Sequence, residues 1–246
     1  MKQLIHHKNL PWLTLVTGGI GLALRLWLQS TANDKGFFIR GHISGTLLIL
    51  LTVLFLVVLL ISTRDLKQAG KYRFNFPASI PGGIAAYIAA AGFAIVNVTD
   101  LIHAEDMLAT VAAALGIISA AALVFVGMCR LKGRHPSMLF HAVICAHLTL
   151  RLICQYRVWS SDPQLMDYCF QLLALACAML ASYHRATFNA NFGSRRSYAF
   201  FNLAAVYFCC VSLAVPEGLT AYLATGLWLF TDQCNLTPMP RGKANP

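Results

Sequence analysis

Two arginines, Arg25 and Arg151, stand inside apolar stretches of this chain. A guanidinium does not give up its proton, so in lipid it needs a partner or a task. Arg151 has candidate partners. His147 lies four residues before it, and Cys154 or Gln155 three or four residues after it, on one helical face. The next apolar stretch returns after a short connection, so residues equally far from that connection lie at one depth. Asp167 and Gln171, four apart and therefore on one face, bracket the level of Arg151. The spacing predicts a buried Arg151–Asp167 pair flanked by His147 and Gln171. Arg25 stands in the same half of the membrane. Such guanidiniums favour a carboxylate or phosphate group. The candidate ligand-binding residues are therefore Arg151, Asp167, His147, Gln171 and Arg25, and the candidate ligand is a small anion. The same cluster would also serve as a purely structural clasp between two helices.

Other chemistries find little support. A membrane haem needs two deep histidines facing each other; His147 alone is deep, while His42, His103, His141 and His184 lie toward the membrane faces. No H-E-x-x-H occurs, and the only glutamates are Glu105 and Glu217. No phosphate-binding loop is present, and no lysine falls in an apolar stretch, which excludes a retinal Schiff base. The eight cysteines form no C-x-x-C pair and read as small apolar packing residues. No metal, cofactor or catalytic residue is expected, which makes an enzyme the weaker reading.

These side chains must be positioned by helices in lipid. Apolar residues make up 58% of the 246 positions and charged residues 11%, against about 25% charged in a soluble domain. So few charges cannot clothe the chain in water. A transmembrane helix takes roughly 17–25 residues. Eight apolar stretches are drawn at 12–30, 41–62, 77–99, 107–129, 136–156, 164–185, 198–215 and 217–231. The last is short, and Pro216 and Glu217 separate it from the seventh; the two could form one broken helix, which leaves seven spans as the alternative. Fourfold-spaced small residues, such as Gly82, Ala86, Ala90 and Ala94, prepare close helix packing.

Of the 19 Lys and Arg residues, all except Arg25, Lys35, Arg40, Arg151 and Arg157 fall in every second gap or at the two ends, counting Arg185 at the edge of the sixth stretch with the gap that follows it. That asymmetry places both ends in the cytoplasm, which requires an even number of spans and favours eight. The first stretch reads as a retained span, because Arg25 interrupts it and no small-x-small cleavage site follows. The expected fold is all-α: residues 1–232 form one transmembrane helical domain and 233–246 a short polar cytoplasmic tail. The net charge of +10 belongs to short loops beside apolar spans, so the expected partner is anionic lipid headgroups at the cytoplasmic face, with no nucleic acid. The functional classes that remain are a small-solute permease or ligand-binding component of the cell membrane with an outward polar site, an integral enzyme acting on lipid, and an accessory subunit of a larger complex. Reporter fusions test the orientation. A reporter in the 157–163 connection should read as external, and a cytoplasmic signal there would overturn the topology.

Overall fold

A computed structural model describes residues 9–31, 42–64, 66, 72–104, 106–160, 165–216 and 218–237, with the side chains of residues 73 and 165–167 outside the description. Among the described residues every regular element is a helix: α1 (Leu10–Ser30), α2 (Ile43–Arg64), α3 (Tyr72–Asn75), α4 (Ile80–Ile102), α5 (Met107–Lys132), α6 (Met138–Trp159), α7 (Leu165–Asn189), α8 (Arg195–Ser212) and α9 (Leu219–Cys234). Apart from the single-turn α3, each corresponds to one apolar stretch of the sequence.

The boundaries follow local chemistry. The stretches drawn from 77 and 136 begin at prolines, yet the capping side chains stand a little later. The Ser79 hydroxyl accepts from the Gly82 backbone N–H at 3.1 Å, and Ser137 caps α6 by accepting from Leu139 at 3.3 Å. Residue 77 therefore lies outside α4, which frees its carbonyl for another use. At the far end of α5, Gly133 takes φ 63°, the left-handed conformation that ends a helix without a Cβ penalty. Gly218 takes φ 76° between α8 and α9. These last two helices pack against each other as separate elements, so they are not one broken helix.

Six helices close into a ring. α4 packs on α5, α5 on α6, α6 on α7, α7 on α8, α8 on α9, and α9 returns to α4. α1 and α2 lie outside and pack on α8. Close approach depends on small residues. A Cβ built on Gly83 would stand 2.5 Å from the Leu131 side chain, and one on Gly92 would stand 2.6 Å from Ala224.

Polarity is inverted relative to a water-soluble bundle. The buried positions of α2 are Ser44, Leu48, Thr52, Phe55, Leu59 and Thr63, while Leu47, Leu50, Val53, Leu54, Val57 and Ile61 are exposed. Hydroxyls turn inward and branched aliphatics outward, an arrangement suited to a hydrocarbon solvent. Among the described residues five helices, α1, α2, α4, α5 and α6, are long and apolar enough to cross a membrane. α8 is less apolar because it faces α1, α2, α7 and α9, so nearly all its side chains meet protein.

Gly92→Leu should wedge α4 from α9 and cost about 1–3 kcal/mol of stability. Gly19→Ala, with nothing within 4 Å of its new methyl, should be neutral or slightly stabilising. Thermal melts in detergent compare the two, and equal melting temperatures would refute the close-packed α4–α9 seam.

Candidate functional site

The interior of the ring carries polar side chains at both ends and an apolar stretch between them. Helical periodicity creates this. On α6, the buried positions His141, Ile144, His147 and Leu148 continue the stripe that ends at Arg151. On α9, Tyr222, Thr225, Trp228 and Asp232 follow one another at intervals of three or four residues, all buried.

A small cavity of about 10 Å³, room for about one water, lies between α4, α6, α7, α8 and α9. Its wall includes Phe93, Val96 and Asn97 of α4, His147, Leu148 and Arg151 of α6, and Tyr222 and Thr225 of α9; Ala174, Leu175, Ala178 and Cys209 make the remaining wall apolar. His147 is buried, and its Nδ1 lies 3.3 Å from the Ala112 carbonyl oxygen of α5. Tyr222 donates to Gln155 Oε1 at 3.4 Å. The Asn97 amide donates to the Phe93 carbonyl at 2.7 Å, and its oxygen side packs where Gly116 leaves room on α5.

Arg151 closes this cavity. Its Nη1 donates to Asp100 Oδ2 at 3.1 Å; the Arg151 side chain is 12% exposed and that of Asp100 49%. The acid that meets Arg151 thus comes from the end of α4. Asp167 sits on α7, and its side chain lies outside the described residues. A second pair, Arg157–Asp106 at 3.4 Å, lies farther out and is exposed on both sides.

Of the five residues named from the sequence, His147 and Arg151 line one cavity, while Gln171 and Arg25 are buried away from its lining. Arg25 does not extend along the lipid surface. Only 3% of it is exposed: it donates to the Val211 carbonyl of α8 at 3.4 Å and lies 5.4 Å from the centroid of the Phe170 ring. Its stem and charge both pack between helices.

The opposite end holds a cluster that the sequence reading missed. Arg130 at the end of α5 and Arg185 near the end of α7 both pair with Asp232 of α9. The Arg130–Asp232 separation is 3.3 Å, and all three side chains are 1% exposed. Arg130 also donates to the Pro77 carbonyl at 2.8 Å, the oxygen freed by the late start of α4. Aromatic rings cover the flat faces of the guanidiniums. Phe76 lies 5.4 Å from Arg130 and 5.1 Å from Arg185, and Trp228 lies 5.5 Å from Arg185. His141 of α6 and Tyr198 of α8 are fully buried beside them, within the field of both cations. In the sequence Arg130 and Arg185 count among the basic residues that set orientation, and Asp232 falls just past the last stretch with no assigned role. The useful signal was a lone acid at the same depth as two basic residues, the depth argument already applied to Arg151.

Among the described residues no group of His, Cys, Asp and Glu is arranged to hold a metal ion. A double-mutant cycle on Arg151→Ala and Asp100→Ala should give a coupling of about 0.2–1 kcal/mol, because water screens one partner. The same cycle with Asp167→Ala tests the pair expected from the sequence, and coupling near zero removes Asp167 from the site. Comparison of the chain with protein-family models, with curated proteins and with solved structures yields no match.

Proposed function

We propose that this chain is a multi-pass protein of the cell membrane, with eight helices crossing the bilayer and both ends in the cytoplasm, and that it binds and passes a small anionic solute through a site facing outward. The observation that carries this reading is the cavity inside the six-helix ring, with the Arg151 guanidinium at its wall and an exposed acid as its partner. In a low-dielectric interior a guanidinium is a strong receptor for carboxylate or phosphate. An arriving anion competes with Asp100 for Arg151, while His147, Asn97, Tyr222 and Thr225 offer further polar contacts. The cavity admits about one water as it stands, so solute entry requires the helices to part at the Arg151 end.

Other features support the membrane setting. α9, with 16 residues, is only about 24 Å long against a hydrocarbon core of roughly 30 Å, but its neighbours α4 and α8 shield much of its surface. Arg64, Lys132, Arg134 and Arg196 are exposed at the end that holds the Arg130 cluster, where anionic headgroups would meet them. A lipid-acting enzyme would need a polar cleft open sideways to the bilayer; the polar groups of this cavity lie on inward stripes instead.

A panel of small carboxylates and phosphates, screened by thermal shift in a chloride background free of carboxylate and phosphate, should yield a stabilising anion. Arg151→Gln should abolish that stabilisation and lower uptake of the same anion into proteoliposomes at least about tenfold. A panel without a hit would favour an accessory subunit, and a hit that Arg151→Gln leaves intact would move the site elsewhere.

A further inference from the structure

The cluster opposite Arg151 carries an imbalance. Among the described residues it holds two guanidiniums, Arg130 and Arg185, against one carboxylate, Asp232, all within a shell that solvent does not reach. Neither arginine can discharge the surplus by losing a proton. A buried uncompensated charge is costly, and removing its partner is more damaging than never having had one. The surplus of hydrogen-bond donors has the same sign. Arg130 Nε, Arg185 Nε and Nη2 and the Tyr198 hydroxyl have no hydrogen-bond partner among the described residues, and both His141 ring nitrogens also lack one. A neutral imidazole adds one further N–H. Ser182, one turn before Arg185 on α7 and 1% exposed, holds another such hydroxyl. Phe76 lies against a face of each guanidinium and Trp228 against a face of Arg185, and the unpartnered N–H groups point outward in the guanidinium planes.

We propose that this inner end of the ring is a binding site for a compact monovalent anion of halide size, held by the edges of Arg130 and Arg185 together with Tyr198 and His141. A single negative charge balances the two-to-one cluster. Every member is at most 2% exposed, and burial this complete favours a compact spherical ion over a branched organic acid. The bound ion completes a knot joining α5, α6, α7, α8 and α9. This site is independent of solute passage at Arg151, and the two fail separately.

The test uses the full-length protein in detergent, with chloride or bromide replaced by gluconate at constant ionic strength. Halide should raise the melting temperature saturably, by on the order of 5 °C at a hundredfold excess over Kd. Arg130→Gln removes the surplus charge and should remove the halide shift. Tyr198→Phe, a change that keeps the ring, should weaken halide affinity about fivefold and decides the matter if Arg130→Gln does not fold. Arg151→Gln should retain the full shift. Crystals grown in bromide should show an anomalous peak against Arg130 and Arg185. Coincident wild-type melts in halide and gluconate would overturn the proposal. So would a shift unchanged in both inner variants, or one lost in Arg151→Gln alone.

Discussion

Where hydrocarbon replaces water, no polar group can be left to the solvent, and each must find its partner inside the protein. The backbone meets this demand by being helical. Hydroxyls meet it locally: Thr14, Thr52, Thr63 and Thr149 each donate to the carbonyl four residues earlier on the same helix. Amides reach one helix further, as Asn202 does when it donates to the Leu229 carbonyl and to Gln233 Oε1 on α9. Charges cannot be satisfied within one helix. They therefore bring several helices to one point, and the ring is drawn together where they do so.

The two outer helices show the same constraint from the other side. α1 and α2 need only one inward stripe each. On α1 it is Thr14, Gly18, Gly21 and Arg25; on α2 it is Leu48, Thr52, Phe55 and Leu59. Tyr207 of α8 meets both: its hydroxyl lies 2.8 Å from Thr52, its ring stacks on Phe55 at 4.6 Å, and Gly21 gives it room. α8 is thereby enclosed and free to carry polar residues such as Arg195 and Asn202 that a lipid-facing helix would not tolerate.

Helix number, order and approximate bounds were legible in the sequence, because a long apolar run between charged gaps has few other solutions in lipid. The pairing of Pro216 with a short last stretch was ambiguous, since length alone does not separate a broken helix from a hairpin. Charges were harder to place. Arg185 and Arg130 obey the positive-inside pattern and so looked fully explained by orientation, yet both turn inward onto Asp232. A long side chain at a helix end can reach toward headgroups or toward a neighbour, and the choice depends on a third helix, α9, that sequence spacing does not register. Arg151 presented the converse problem. Among the described side chains its acidic partner is Asp100 at the end of α4, two helices back, a contact that spacing along neighbouring stretches does not register.

The two polar ends of the ring differ in strength, and that difference gives the bundle a direction. At one end Arg151 meets a half-exposed Asp100, an ion pair of the kind that contributes little and separates readily. At the other, Arg130, Arg185 and Asp232 are sealed under Phe76 and Trp228, and parting them would leave charge without water. Thr237, just beyond α9, adds to the seal: its N–H donates to the Asn75 carbonyl at 3.1 Å, and its own carbonyl accepts from Arg195. Helix separation therefore costs least at the Arg151 end, where the cavity already lies. Were the helices to part, the buried arginine cluster would hold its end together and the rim formed by the ends of α4, α6 and α9 would yield first.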